Sequence, residues 1–520
     1  MNSSEAPALS PGWALATIRE VADVKLGKML SRKAFVEGLV VRPYLRNENV
    51  QWGRVDLSDV KTMGFRPEEF DRYGVLPGDL LVCEGGEPGR CAVYTGHRGT
   101  FWYQKALHRV RPRSGALSPQ LLQYWLWHLA LNGDLLSKIA QTTIQHLPLE
   151  RFVDLTIPVP PFREQARIVE AIESYFSRMD EAVTLLERVE RNLKRYRAAV
   201  LKAAVEGRLV PTEAEVARAE GRDYEAADVL LKRILAERRR RRHEGGGRGK
   251  YDEPIPPDTK DLPELPEGWC WATADMLAEL KGGITKGQTR KPTDSLRAVP
   301  YLRVANVQRA RLDLSVIKTI LATEAEIDEL RLQTGDVLFN EGGDRDKLGR
   351  GWVWNGELPE CIHQNHVFRA RILSADLHPK FMSWYGNTAG QQYFFEQGKQ
   401  TTNLASINLT KLRRLPLPIP PLVEQMRIVQ HTERLLSLAD EAELLVKGNT
   451  VRCARLRQAI LKWAFDGKLV DQDPSDEPAS VLLERIRMET ATRTAPGDRT
   501  GAKPQAGKDR MRSGTMKAPR

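Results

Sequence analysis

The chain is written twice. PYLRNENV, beginning at Pro43, returns as PYLRVANV at Pro300, and GDLLVCEGG at Gly78 returns at the same offset as GDVLFNEGG at Gly335. After a short insertion in the second copy, Gly89-Arg90 matches Gly349-Arg350 and Gln104 matches Gln364. The register then holds through the next matches: IPVPPFREQARIVE from Ile157 aligns with LPIPPLVEQMRIVQ from Leu417 and LKAAVEGRLV at Leu201 with LKWAFDGKLV at Leu461, and the segments beyond still correspond, AADVLLKRI from Ala226 resembling PASVLLERI from Pro478. The architecture is therefore one unit of about 260 residues used in tandem. A chain of 520 residues that is 41% hydrophobic has enough apolar material for several cores.

Each copy changes character midway. Its first part carries short β-rich runs such as Asp79 to Cys83 and Gly351 to Trp354, broken by Gly and Pro turns, with a helix beginning at Ser118-Pro119 or His378-Pro379. That part reads as a globular α/β or α+β domain. After Pro160-Pro161 and Pro420-Pro421 the sequence has no Pro, and Gly448 is the one Gly before Gly207 or Gly467, so each second part reads as one long helix. In copy one Ile168, Ile172, Tyr175, Met179, Ala182, Leu186, Val189, Leu193, Tyr196 and Val200 follow one another in steps of four and three, a heptad seam. The matching seam in copy two is Ile428, Thr432, Leu435, Ala439, Ala442, Val446, Asn449, Cys453, Leu456 and Ile460. A helix from Arg163 to Val205 extends roughly 65 Å, longer than a small domain's core, so the two seams are expected to pair with each other. The five arginines Arg238 to Arg242 and the Pro-rich stretch from Pro254 to Pro266 read as a helix end and a linker, and the residues from about Ala495 as a disordered tail.

The net charge of +11 favours an anionic partner, with nucleic acid first among them. The longest apolar stretch, Leu121 to Leu131, contains Gln123 and His128 and is shorter than a membrane span; the N-terminus has no signal-like apolar region, and a cytoplasmic location follows as the expectation. Cys83, Cys91, Cys270, Cys361 and Cys453 form no CxxC pair, and His363 and His366 lack the companions of a metal motif, so no metal is expected. The PP pairs lack the acid or amide in front that an adenine methyltransferase uses, since Val159 stands there in copy one. EGGEPGR at Glu84 and GGITKGQT at Gly282 are not phosphate loops. A nuclease could use Asp79 with Glu84 or Asp336 with Glu341, but Gly86 and Gly343 occupy the lysine position. No catalytic residues are assigned. A binding protein leads; a stand-alone DNA methyltransferase or nuclease with divergent motifs, or a coiled-coil assembly protein, is the alternative. Two modules held apart by helices would meet a duplex at two places, and because they differ in most residues the two half-sites need not be alike.

PPFREQARIVE and PPLVEQMRIVQ, each followed by a long heptad helix ending in EGRLV or DGKLV, with LPEGW opening the second half, resemble the specificity (S) subunit of type I restriction-modification systems over roughly residues 10 to 490. The resemblance implies an α+β fold with two globular target-recognition domains in tandem, each followed by a long conserved helix, the two helices forming an antiparallel coiled coil. Its segments would be 1–158 (first target-recognition domain), 159–210 (first helical region), 211–260 (helical segment and linker), 261–416 (second target-recognition domain), 417–470 (second helical region) and 471–520 (short helix and tail). It also implies a subunit that reads a bipartite, asymmetric double-stranded DNA target and docks two methyltransferase (M) subunits and, through them, restriction (R) subunits. S-adenosylmethionine, ATP and Mg would then belong to those partners, with no cofactor on this chain.

Arg, Lys, Asn and Gln supply phosphate and base-edge contacts. The candidates are Arg46, Asn47, Asn49, Arg90, Gln104, Lys105, Gln141 and Thr142 in the first domain, and Arg303, Asn306, Arg350, Gln364, Asn365, Gln400, Thr401 and Thr402 in the second. Positions shared by domains that read different sequences suit phosphate contact or scaffold, so base readers are also sought in Lys28 to Lys33, Gln51 to Lys61, Lys286 to Lys291 and Asp344 to Lys347. Glu164 and Glu424, just inside the long helices, read as helix-start caps.

Overall fold

The computed structural model describes residues 9–30, 38–113, 115–135, 146–244, 251–287, 295–343, 348–400 and 405–494. Two compact units divide it: residues 1–184 with 450–520, and residues 185–449. This division differs from the sequence-based segments, because it runs through both long helices, Phe162–Val205 and Leu422–Phe465. The end of each long helix, with the short helix that follows it, joins the globular part of the other copy. In the first unit Leu482, Leu483 and Ile486 of the helix Ala479–Thr494 are buried in the core that contains Ile18 and Val21. In the second, Leu230 and Ile234 of the helix Ala227–Glu244 enter the core that contains Ala274 and Leu277. Matching backbone bonds fix both, Ala479 N–H to Gly12 O and Ala227 N–H to Gly268 O, each 2.8 Å. The helical segment and the short helix expected after the long helices thus supply core, because their leucines and isoleucines recur at helical spacing. The arginine run lies in the helix Ala227–Glu244, and members of it pair with acids, Arg239 with Glu253 at 2.6 Å and Arg241 with Glu237 at 2.8 Å.

The globular parts share one topology. The first unit has an antiparallel sheet in the order Ala22–Leu26, Leu107–Pro112, Leu80–Cys83, Cys91–Val93; the second repeats it with Ala278–Lys281, Val367–Ile372, Val337–Asn340, Gly351–Val353. The strands Leu80–Cys83 and Val337–Asn340 are buried at every residue, as a central strand covered on both faces requires. A smaller sheet sets Val40–Leu45 antiparallel to Lys61–Phe65 and parallel to Trp102–Tyr103, mirrored by Arg297–Leu302 with Lys318–Ala322 and Ile362–His363. Ser118 and His378 cap the helices Pro119–Leu131 and Pro379–Asn387 as expected.

The heptad seam is partly as read. Ile168, Ile172, Met179, Val446 and Ile460 are buried, as is Ile428, while Leu186, Leu193 and Leu435 are half-buried. Tyr175, Val189, Tyr196 and Leu456 are instead exposed. The covered stripe takes the next residue in each case: Phe176, Glu190, Arg197 and Arg457. Phe176 sets its edge against Tyr124 and Trp127, and the other three inward positions are charged and form ion pairs. Within the second unit Arg197 meets Asp440 at 2.6 Å and Glu443 at 2.8 Å; within the first, Arg457 meets Asp180 and stands over the Phe176 ring. Thr432 is buried and its hydroxyl donates to Ile428 O at 2.6 Å, and the second helix continues through Gly448.

Glu164 and Glu424 are not caps. Trp13 Nε1 donates to Glu164 at 3.0 Å and Trp269 Nε1 to Glu424 at 2.8 Å, so each buried carboxylate ties the first turn of a long helix to the start of its globular part. Burial holds both carboxyls above their usual range. Among the described residues, no helix is long and apolar enough to cross a membrane.

Candidate nucleic-acid interface

The repeated loop after Leu45 and Leu302 is built from within. Asn49 accepts the Arg46 N–H at 3.1 Å and donates to Asp56 O and Asp59 O, both at 2.9 Å. Asn306 does the same with Arg303 N–H at 3.0 Å, Asp313 O at 2.9 Å and Val316 O at 3.0 Å. Both side chains are 2% exposed, so these two candidates are corrected from DNA contact to loop scaffold: a buried amide with its bonds filled offers nothing to a base edge. Arg46 is engaged by Glu48 and Asp59, and Arg303 donates to Val316 O at 3.0 Å. Arg90 donates to Asn47 O at 3.0 Å and pairs with Glu87 at 2.9 Å, while Arg350 reaches Val304 O at 3.4 Å. These guanidiniums hold neighbouring loops together in the same way in both copies. Asn47 enters the network through its backbone oxygen.

The candidates at the next turn stand differently. Gln104 and Lys105 lie between the strands Trp102–Tyr103 and Leu107–Pro112, and Gln364 and Asn365 between Ile362–His363 and Val367–Ile372. Their backbones are fixed, with Gln104 N–H on Leu45 O at 3.0 Å and Gln364 N–H on Leu302 O at 2.9 Å. Gly27 and Gly283 lie so close to these turns that a Cβ would meet the backbone of Gln104 at 2.1 Å or of His363 at 1.9 Å. Their side chains are exposed or half-exposed and have no hydrogen bond or ion pair among the described residues. A rigid turn presenting unused amide and ammonium donors is what phosphate or base-edge contact requires. Gln141, Thr142, Thr401 and Thr402 lie outside the described residues, as does the side chain of Gln400, whose backbone pairs with Ala405. Of the non-matching segments, Lys28 pairs with Glu69, and residues 31–33, 288–291 and 344–347 lie outside the described residues.

Two residues beside these turns, weighed from the sequence as nuclease acids, have another role in the structure. Glu84 and Glu341 are repeat equivalents, yet each pairs with a histidine from a different place: His146 at 2.9 Å in the first unit and His366 in the second. Both rings are about half exposed, at 50% and 54%. The signal was the EGG common to both copies, weighed as a metal acid. Its other proposed partners are taken, since buried Asp79 binds Arg111 at 2.6 Å and buried Asp336 binds Arg371 at 2.8 Å. Among the described residues no cluster of three metal-ligating side chains occurs. His363 is buried, donates Nδ1–H to Val367 O at 2.6 Å, and is held neutral by burial down to about 4.

Residues 11–191 match the family model for the type I restriction modification DNA specificity domain. The chain is 24% identical over 514 residues to the EcoKI specificity subunit of Escherichia coli K12, covering 93% of this chain and 96% of that one. It is 25% identical over 439 residues to the EcoBI specificity subunit of Escherichia coli, covering 81% of each. A solved chain from a study of complex assembly and conformational transition of the type I R-M system superposes with a TM-score of 0.55 at 19% identity, covering 89% of this chain and 99% of that one; it supports the fold.

Proposed function

We propose that this chain, a member of the specificity-subunit family of type I restriction-modification systems, reads a split DNA target with one globular part per half-site and carries no catalysis of its own. The observation that carries this reading is the pair of equivalent turns, held by the same backbone bonds and presenting different free side chains, Gln104-Lys105 in one unit and Gln364-Asn365 in the other. One scaffold with two sets of donors suits two unlike half-sites on one duplex.

The long helices set the spacing in this reading. They form an antiparallel coiled coil, and ion pairs join them in each unit, Arg197 with Asp440 and Glu443 in the second and Arg457 with Asp180 in the first, which supports helices that pair along their length. Leu438, Leu444 and Leu445 of the second long helix are between 52% and 69% exposed in the second unit, and such a row suits methyltransferase subunits, with restriction subunits beyond them. S-adenosylmethionine, ATP and Mg then reside on the partners.

Genome-wide adenine methylation, read by single-molecule sequencing in the host with and without the gene, tests the proposal. Loss of one split, asymmetric motif is expected. An unchanged set of methylated motifs in a host whose methyltransferase partner is expressed would overturn it.

A further inference from the structure

In the first unit the strand Val40–Leu45 places Arg42 at an open pocket of about 520 Å³, lined also by Phe70, Asp71, Arg98, Trp102 and Arg111. The Arg42 guanidinium lies 5.1 Å from the Phe70 ring centroid and 5.4 Å from that of Trp102. Its Nε is buried without a hydrogen-bond partner, and no carboxylate pairs with it among the described residues. The three arginines of the pocket differ in what they have left to offer. Arg111 has its fork closed by Asp79, at 2.6 and 2.7 Å. Arg98 faces Asp71 at 3.8 Å, but the Asp71 side chain is 99% exposed and free to leave. Arg42 has ring faces and no counter-ion. Rings stabilise such a cation only weakly, while a half-buried guanidinium still lacks acceptors for its N–H groups.

The second unit is the internal control. At the positions equivalent to Arg42, Phe70, Arg98 and Trp102 stand Val299, Ile327, Leu358 and Ile362. Val299, Ile327 and Ile362 are fully buried together in an aliphatic cluster. The strand pairing is the same, Arg42 opposite Met63 and Val299 opposite Ile320, so the scaffold closes this place with aliphatic side chains in one copy and opens it around an arginine in the other. The fold therefore does not need an arginine here.

We infer that the Arg42–Arg98 pocket of the first unit is a phosphate-binding site with no counterpart in the second, taking either a backbone phosphate of DNA or the phosphate of a free mononucleotide. A planar guanidinium with its fork free and a second arginine able to swing in matches the geometry of bidentate phosphate recognition. The DNA form of the inference rests on the proposed function; the mononucleotide form does not.

The test uses the full-length chain with Arg42→Val and Arg98→Leu, which install the second copy's own residues, and Arg42→Lys, which keeps the charge and loses the fork. Binding to a short duplex is measured across a salt series, and binding of AMP and inorganic phosphate by calorimetry, with thermal melting to verify folding. If the phosphate belongs to DNA, Arg42→Val lowers the slope of log affinity against log salt by about one, Arg98→Leu lowers it in the same direction, and Arg42→Lys restores it. If it belongs to a mononucleotide, AMP binding is lost in Arg42→Val and the duplex slope is unchanged. A folded Arg42→Val protein with the wild-type slope, together with no binding of AMP or phosphate by the wild type, overturns the site. Failure of the wild type to bind any duplex counts against the proposed function instead, and leaves the AMP and phosphate titrations to decide the pocket.

Discussion

The two globular parts share their main sheets and the same loop scaffold, and they part company in the side chains those strands and loops carry. Asn49 and Asn306 make matching sets of three bonds, and Asp79–Arg111 matches Asp336–Arg371. By contrast, Lys105 becomes Asn365, Arg42 becomes Val299, and the glutamate of EGG finds its histidine at a different place in each unit. Most of what duplication retained here holds the loops, Gln104 and Gln364 being a retained pair left free, and Lys105, Asn365 and Arg42 are diverged positions available to a ligand. Shared residues should therefore fail alike in both units through stability, and divergent residues should act on one half-site with the fold intact.

Breaking the shared ion pair should have the largest effect. Arg111→Ala and Arg371→Ala each strand a carboxylate that is 1% exposed, at a cost of about 4 kcal/mol in denaturant unfolding. A large difference between the two would break the equivalence of the units. A pH experiment comes next. Below the usual imidazole value the unfolded chain takes up a proton that folded His363 refuses until about pH 4, so its contribution to stability is lost as pH falls through that window. His363→Tyr, which installs the residue at matching position 103, should flatten this dependence by on the order of 2 kcal/mol between neutral pH and pH 4.5. His108 in the first unit is shifted the same way by burial and should leave a residual slope. Asn49→Ala and Asn306→Ala should each cost about 2 kcal/mol, with loss of one half-site as the loop loosens. The smallest effect is expected from Arg197→Ala, about 0.5 kcal/mol, because the pair with Asp440 and Glu443 is only partly covered, with Asp440 62% exposed.

The repeat, the PP breaks and the long helices were legible because each leaves a mark on residue type alone: the first helix starts at Phe162 against an expected Arg163. The phase of the seam was not. Where Tyr175 precedes Phe176, or Ala182 precedes Val183, apolarity does not say which one turns inward, and at Arg197 and Arg457 the inward residue is charged. The domain division was hidden for a different reason: the helices Ala227–Glu244 and Ala479–Thr494 join globular parts remote or split from them in the chain, which no local pattern records. In the candidate interface, repetition located the loops correctly but could not separate the buried Asn49 from the free Gln104. The acceptors that fill Asn49 are the backbone oxygens of Asp56 and Asp59, which residue names do not display. The Glu84–His146 pair was invisible because its partners lie far apart in the chain and only the glutamate recurs, with Ser406 at the position matching His146.

The central claim is that each unit reads its own half-site through its divergent turn. Adenine methylation should be sequenced genome-wide in hosts expressing Gln104→Ala with Lys105→Ala, or Gln364→Ala with Asn365→Ala, in place of the native chain. The account predicts that each double variant relaxes or abolishes one half of a single split motif and leaves the other half and the spacing between them unchanged. Loss of both halves in either variant, or an unaltered motif in both, would contradict it.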